Sequence, residues 1–256
     1  VRPIRAVIIL FALAYFGCLQ AACPRAPGAI ELILLHLFDD RPIMMHVIKV
    51  GVFVVMGLVF GRYFCGWICP KGVIQEYIFR PRVALDVPPK LDRALKYLKY
   101  LMLVLLIVFP LVWEIRFFRH VGPFKVIFNL DGPTYLVIIL AVVLGMSVFV
   151  ERAFCRYLCP EGALLALAQL VSPYKMRLDT GSCNKCQRCI KVCPVDAFTT
   201  EGRGPVAISA SECILCKECE GVCKEGSLTY GLGHPLRTAN LNIPVRETSR
   251  EEGNES

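Results

Sequence analysis

Cysteine is the residue type that dominates the chemistry of this sequence. The chain has 14 cysteines among 256 residues, and all but two of them lie in four short clusters. This content is below the roughly 8–10% that is typical of a disulfide scaffold. Grouping in short clusters favours metal or iron–sulfur ligation over scattered cross-links.

The two C-terminal clusters repeat one cysteine run. Its spacing is Cys-x2-Cys-x2-Cys-x3-Cys, and the run recurs after 30 residues. In bacterial ferredoxins this run gives three thiolates to one [4Fe–4S] cluster, and its fourth thiolate binds the other cluster. The first predicted cluster is therefore held by Cys183, Cys186, Cys189 and Cys223. The second is held by Cys213, Cys216, Cys219 and Cys193.

This region resembles the two-cluster [4Fe–4S] ferredoxins over about residues 175–230, and the resemblance implies a small α+β module. Pro194 follows the last cysteine of the first run, but Lys224 takes that place in the second. Lys224 therefore takes the place of a residue that fixes a turn, and no cysteine ligand is lost. A pair of zinc sites is the alternative, because four-cysteine zinc sites also use Cys-x2-Cys. Zinc does not need a doubled run with crossed fourth ligands.

The other two clusters repeat a different motif, Arg-x-Phe-Cys-x3-Cys-Pro-x-Gly, which begins at Arg62 and again at Arg152. The i, i+4 spacing predicts that both thiols of a copy lie on one helical face. The proline suits the first turn of a following helix. The N-terminus of that helix and the motif's arginine favour the thiolate form. The cysteines of the two copies are Cys65, Cys69, Cys155 and Cys159.

If the two copies pack with pseudo-symmetry, their four thiols converge at the cytoplasmic edge of a membrane. Soft thiolates suit an Fe–S cluster or Cu(I). A third Fe–S cluster, a Cu(I) site and a redox dithiol therefore stay open for these cysteines. Buried thiols that pack as small apolar side chains are the structural alternative. The sequence assigns no role to Cys18 and Cys23, the two cysteines outside the clusters.

Long apolar stretches position these motifs. Hydrophobic residues make up 55% of the chain and its mean hydropathy is +0.55, too apolar for an ordinary soluble domain. Four stretches come close to the roughly 20 residues that a helix needs to cross a bilayer. They are Ala6–Pro24, Ile43–Gly61, Leu95–Trp113 and Gly132–Val150. The sequence therefore predicts a mainly α membrane protein with four transmembrane helices in two hairpin repeats, followed by the ferredoxin-like α+β module.

The charge pattern predicts the orientation of these helices. The net charge is +8, and Lys and Arg concentrate before the first stretch, within residues 62–99 and after residue 151. This asymmetry is typical of cytoplasmic segments, so we expect a cytoplasmic N-terminus and ferredoxin module, and no nucleic-acid partner. The first stretch is longer than a signal-peptide core, so we expect it to be retained. The predicted domains are residues 1–174 in the membrane, the ferredoxin-like residues 175–234, and a flexible polar tail, 235–256.

Four apolar stretches, two Cys-x3-Cys-Pro motifs and two ferredoxin runs together resemble the membrane polyferredoxins, most closely the NapH-like quinol-dehydrogenase type. Nitrous-oxide-reductase accessory regulators and cytochrome-oxidase copper-handling proteins belong to the same superfamily. The resemblance implies a multi-pass protein of a bacterial or archaeal inner membrane. It also implies an oxidoreductase subunit, not a self-contained enzyme.

Such a subunit passes electrons between the quinone pool and a partner protein through two [4Fe–4S] clusters and the Cys-x3-Cys-Pro site. The implied partners are other redox subunits, quinone and membrane lipid. The sequence does not give the direction of electron flow, or say whether quinone binds this chain. The alternative function is that of an accessory factor that reduces copper or delivers it to another respiratory enzyme.

Overall fold

The computed structural model describes residues 7–8, 11, 26–35, 44–85, 87–114, 122–129, 133–179, 181–200 and 206–232. Most of the first apolar stretch, both Cys18 and Cys23, and the predicted tail lie outside these residues. The helices before the second motif are α1 (Ala26–Leu35), α2 (Met44–Phe60), α3 (Tyr63–Trp67), α4 (Pro70–Ile78), a 3₁₀ turn (Pro81–Val83), α5 (Pro89–Trp113), α6 (Lys125–Asn129) and α7 (Thr134–Phe149).

The second motif and the C-terminal module complete the described fold. Their elements are α8 (Ala153–Tyr157), α9 (Pro160–Val171), β1 (Tyr174–Leu178), α10 (Arg188–Lys191), β2 (Phe198–Thr200), β3 (Val206–Ile208), α11 (Glu218–Val222) and β4 (Leu228–Leu232). Strands β1 and β4 pair antiparallel, with Met176 opposite Tyr230, and β2 pairs antiparallel with β3. Each short helix begins one residue before the third cysteine of a run and contains it, and each run lies between two strands, β1 and β2 or β3 and β4.

The prediction of four transmembrane helices is wrong. Among the described residues, α5 alone is long and apolar enough to cross a membrane, and its most apolar window has a mean hydropathy of 2.0. Helix α2 has 17 residues and α7 has 16, shorter than the roughly 20 that a crossing needs. The apolar composition of the two stretches did not indicate where these helices end. Helix α2 stops before Gly61, which adopts a left-handed φ of 58°, and α7 stops where Val150 becomes extended.

Helix α5 begins at Pro89, six residues before the stretch predicted at Leu95. Lys96 and Lys99 are compatible with the helix because each has an acidic partner. Lys96 pairs with Asp92 one turn earlier, at 2.8 Å, and the fully buried Lys99 pairs with Glu212 of the C-terminal module, at 2.6 Å. Most of the apolar part of α5 is exposed, unlike the core helix of a soluble protein.

Candidate metal centres

The four cysteines predicted for the first cluster lie around one cavity. It is partly open to solvent. Its wall also contains Leu178 and Leu228, so it has an apolar side. The fourth cysteine comes from the second run, as the crossed assignment requires. The cysteines that line it are Cys183, Cys186, Cys189 and Cys223.

A second cavity is lined by the other four cysteines of the runs. Its wall is apolar and includes Val195, Phe198 and Ile214. The hydroxyl of Tyr230 is buried here and has no hydrogen-bond partner within the described residues. A sulfur atom in the cavity would give this hydroxyl an acceptor. The cysteines are Cys193, Cys213, Cys216 and Cys219.

The two cysteine loops have the same backbone conformation. Lys185 and Gln187 of the first loop have positive φ, and so do Leu215 and Lys217 at the equivalent positions of the second. Left-handed residues within such loops turn successive backbone N–H groups inward, an arrangement that many Fe–S sites use. Both loops are therefore shaped to bind an anionic group.

Each cavity is lined by four cysteines, the number of ligands that a [4Fe–4S] cluster takes. Within the described ranges, no three His, Cys, Asp or Glu side chains lie close enough to hold one metal ion. A single zinc ion needs every thiolate about 2.3 Å from one point, whereas each thiolate of a cubane binds a different iron. Burial raises the pKa of Cys213 to about 12, so a bound metal must displace the thiol proton.

The Cys-x3-Cys-Pro motif forms a helical turn, a break and a second helix. In the first copy Cys65 lies in α3, and Cys69 is extended and caps α4, whose first residue is Pro70. In the second copy Cys159 caps α9, which starts at Pro160. The expectation of a helix starting at each proline is confirmed. The expectation of one continuous helical face is wrong, because the second cysteine of each pair lies after the break.

The two copies of the motif are bound to each other. The guanidinium of Arg152 donates to the carbonyl of Cys65 at 2.8 Å, and also pairs with Glu76 of α4. Lys71 of the first copy pairs with Glu161 of the second at 2.9 Å. These contacts cross between the repeats, so the two cysteine pairs share one buried region.

The electrostatics of this region differ from the expectation. Burial is the largest effect on Cys155 and raises its pKa, and the neighbouring thiols of Cys69 and Cys65 raise it further. Arg152 lowers the pKa of Cys155, but by less than burial raises it. Burial also raises the pKa of Cys65, against the opposing charge of Arg62. The arginines do favour the thiolate forms, as predicted, but burial outweighs them and the net pKa of both thiols is raised.

The first motif packs directly on the loop of the second cavity. The indole N–H of Trp67 donates to the carbonyl of Leu215 at 2.9 Å. Gly66 lies against the backbone of Ile214 and Cys216, so closely that a Cβ at this position would collide with the Ile214 carbonyl. Cys65 packs in the same apolar group as Ile214 and Cys216. The Cys-x3-Cys-Pro region and the second cavity are therefore neighbours.

Arg62 and Lys99 anchor the start of the same loop. Arg62 donates to the carbonyls of Ser211 and Glu212 at 2.7 and 3.1 Å. Lys99 donates to both carboxylate oxygens of Glu212 at 2.6 Å. Burial alone would raise the pKa of Glu212, but Arg62 and Lys99 outweigh it and lower that pKa. The charged carboxylate directly precedes Cys213 and fixes its loop to the helices.

The second motif holds the opposite side of this cavity. Arg156, which occupies the position equivalent to Gly66, pairs with Asp92 of α5 at 2.5 Å and with Asp196 at 3.1 Å. Lys96 donates to the carbonyl of Asp196 at 3.0 Å. Asp196 belongs to the turn that follows Cys193, the crossed cysteine. Both repeats therefore contact the second cavity. The first motif contacts the loop that begins at Cys213, and the second motif contacts the turn that follows Cys193.

Known proteins share this arrangement of motifs. A model of a 4Fe–4S binding domain matches residues 42–88 and again 132–178, and a model of a 4Fe–4S dicluster domain matches residues 175–224. An uncharacterised protein of Methanocaldococcus jannaschii is 33% identical over 88% of this chain and 93% of its own length. No solved structure matches the chain significantly.

Two further relatives carry descriptive names. Ferredoxin-type protein NapH of Haemophilus influenzae is 27% identical over 76% of this chain and 70% of its own length. Regulatory protein NosR of Pseudomonas aeruginosa is 34% identical over 64% of this chain, but over only 24% of its own length. The chain belongs to the superfamily of ferredoxin-type membrane proteins that includes NapH, NosR and NirI. It is an iron–sulfur protein with a role in electron transfer.

In this ferredoxin-type protein, Gln75 is a site residue that the sequence analysis missed. Its fully buried amide donates to the thiol of Cys155 at 3.2 Å and to the carbonyl of Lys71 at 2.9 Å. Its oxygen accepts from the N–H of Phe154 at 2.8 Å. Gln75 lies outside the repeated motif, and the equivalent residue of the second copy is Leu165. No signal in the sequence pointed to it, because Lys71 and Glu76 are also polar residues of the same helix.

Proposed function

We propose that this protein is an electron-transfer subunit of a membrane redox complex and connects the quinone pool to a partner protein. One observation supports this most strongly. The Cys65 region of the first motif packs on the loop of the second cysteine cavity, so a redox site at the motif would adjoin the ferredoxin module. A protein that only stored or delivered a metal would not need this contact.

The ligand sets of the proposed clusters follow the two cavities. Cys183, Cys186, Cys189 and Cys223 hold the first cluster, and the four cysteines of the second cavity hold the second. Each cluster, when bound, supplies transfer of one electron at a time. The protein contributes inward-facing N–H groups, apolar walls and the hydrogen bonds that set the potential.

The four cysteines of the Cys-x3-Cys-Pro motifs form the proposed third redox site. The family match over both motifs to a 4Fe–4S binding domain supports a cluster there. Further support comes from the cross-repeat contacts of Arg152 and Lys71, which hold the two cysteine pairs together. Gln75 would orient Cys155 and keep its region dry.

Helix α5 attaches the protein to the membrane in this proposal. Large apolar side chains are exposed along α5, and also along α2 and α7. Exposed apolar surface of this extent is typical of a region that contacts a membrane or another protein instead of water. The lysines at the start of α5 contact the ferredoxin module, which supports a module seated at the membrane surface on the cytoplasmic side.

Iron content tests the number of clusters. Iron and acid-labile sulfide are measured per chain on anaerobically purified, detergent-solubilised protein. We expect about twelve irons, from three cubanes. Changing Cys65, Cys69, Cys155 and Cys159 to serine should lower the content to about eight, whereas the control C18S/C23S should leave it unchanged. Eight irons in the wild type with copper bound would instead support the metal-delivery function.

Quinol-dependent reduction tests the proposed connection to the quinone pool. Membranes containing the protein are mixed anaerobically with a quinol, and cluster reduction is followed by electron paramagnetic resonance. We expect the clusters of the wild type to be reduced and those of the four-serine variant to stay oxidised. Intact clusters that no quinol reduces, and that do not reduce a quinone, would exclude the connection to the quinone pool.

A further inference from the structure

The two cysteine loops of the ferredoxin module have opposite environments. Between its first two cysteines the second loop has Ile214 and Leu215, which are buried under the first Cys-x3-Cys-Pro motif. The first loop has Asn184 and Lys185 at these positions, and both are exposed. Cys186 is also exposed. A partner protein can therefore approach the first cavity, while the helices cover the second.

Four basic side chains surround the exposed first cavity. Arg188 and Lys224 line it, Lys185 lies in its cysteine loop, and Lys191 lies on α10. All four are exposed, and within the described residues none of them forms an ion pair. We call these four residues the basic rim.

Two acidic groups beside the first loop already have polar partners. Glu225 accepts a hydrogen bond from Asn184 at 3.0 Å, and Asp179 accepts from Ser182 at 2.7 Å. Two further carboxylates, Glu218 and Glu220, belong to α11, which packs against α10. Around the second loop the basic side chains Arg62, Lys99 and Arg156 are buried and paired with carboxylates, so the unpaired exposed positive charge lies at the first loop.

We infer that the basic rim docks the acidic face of a second redox protein over the Cys183 cavity. This inference rests on the proposed function and adds which cluster meets the partner and what the partner's surface must be. Complementary charge on an interface rim steers encounter and fixes orientation, and it makes association sensitive to salt. Orientation matters here because the redox centres must come close through one exposed edge.

Binding of an acidic plant-type [2Fe–2S] ferredoxin tests the inference. The full chain in detergent is immobilised, and the dissociation constant is measured at ionic strengths from about 20 to 500 mM, a range in which screening becomes strong. We expect the wild-type constant to rise steeply with salt. In K185E/R188E/K191E/K224E it should be at least about tenfold higher at low salt and nearly independent of salt.

A matched control separates the rim from net charge. R80E/R82E/K90E/R93E makes the same change in charge at four exposed residues before and at the start of α5. We expect this control to bind within about threefold of the wild type. The milder variant K185A/K191A, which spares both cavity-lining residues, should raise the dissociation constant about threefold, so the test holds even if the full reversal loses its clusters.

The outcomes separate the two proposals. Iron content is measured on every variant, and a wild type without iron would contradict the proposed function itself. With clusters present, equal weakening by rim and control variants, or binding that ignores salt, would overturn the docking surface. Rim-dependent binding to vesicles with anionic lipid, without binding of the ferredoxin, would also overturn it and assign the rim to lipid.

Discussion

Lys71 and Glu161 occupy equivalent positions in the two copies of the Cys-x3-Cys-Pro motif, and their side chains form a buried ion pair with Nζ and Oε2 2.9 Å apart. The two equivalent positions of the motif thus carry opposite charges where the repeats meet. Removing one member of such a pair leaves an uncompensated buried charge, which costs about 3–5 kcal/mol. The pair therefore specifies that the first copy packs against the second.

A charge swap should test this pairing. We expect K71E alone to lower the free energy of unfolding by about 3–5 kcal/mol, because it places two carboxylates together. K71E/E161K should recover most of that loss, since the positions are related by the pseudo-symmetry. Denaturant titration in detergent measures both. The exposed control K125E should change stability by less than about 0.5 kcal/mol, and a double variant no better than the single would contradict the pairing.

Gly66 should tolerate no side chain. A Cβ there would collide with the carbonyl of Ile214, which is backbone and cannot rotate away. We expect G66A to destabilise the protein by about 1–3 kcal/mol and to loosen the second cysteine loop, detected as faster proteolysis of the ferredoxin module. G145A is the control, because Gly145 lies within α7 with no atom near the place of its Cβ. It should be neutral or stabilising by up to about 1 kcal/mol, and equal effects of both changes would rule out the close contact.

The cysteine assignments depend on local spacing, and this explains why the sequence was informative there. The three cysteines of a Cys-x2-Cys-x2-Cys loop are so close in the chain that they line the same cavity. Lys185 and Leu215, which both have a left-handed backbone, occupy equivalent positions in the two loops. The crossed cysteines Cys193 and Cys223 line the expected cavities. The ligand roles stay predictions until iron is measured.

The membrane region was harder to predict because apolar composition does not specify where a helix ends. The left-handed turn at Gly61 ends α2. Lys96 and Lys99 lie within the stretch predicted at Leu95–Trp113, and their acidic partners lie outside that stretch, Asp92 just before it and Glu212 far along the chain. Contacts across 113 residues, such as Lys99 with Glu212, have no local signal.

Gln75 should position Cys155 within the third site. Replacement by leucine leaves the N–H of Phe154 without its acceptor, which costs about 1–3 kcal/mol, and removes the donor to the Cys155 thiol. We expect Q75L to lose iron from the motif site and to keep the iron of the ferredoxin module.

The variant Q75E separates stability from positioning. It retains an acceptor for Phe154 but removes the amide N–H that Cys155 receives, so it should weaken the site electrostatically while costing less packing. Iron per chain and the electron paramagnetic resonance signals of each variant provide the measurement. The exposed neighbour Tyr77, changed to phenylalanine, is the control. Full iron content in Q75L would show that Gln75 supports the fold only.

Tyr230 should tune the cluster held by the second cavity. Its buried hydroxyl has no partner within the described residues, and burial raises its pKa, so the group stays a protonated donor. A hydrogen bond to a cluster sulfur raises the reduction potential, because it stabilises the more negative reduced state. One neutral hydrogen bond of about 0.5–1.5 kcal/mol corresponds to about 20–60 mV for one electron. We therefore expect Y230F to lower that potential by about 20–60 mV.

The matched control is Y174F. The ring of Tyr174 contacts that of Tyr230 in a tilted arrangement, with centroids 5.9 Å apart, but Tyr174 does not line the cavity, so its change should leave both potentials within experimental error. A redox titration followed by electron paramagnetic resonance resolves the two clusters of the module. In Y230F only one of the two potentials should move, because the hydroxyl reaches one cavity. Equal shifts in both clusters would indicate a general change in solvation, and an unchanged pair of potentials would show that the hydroxyl has no acceptor on the cluster.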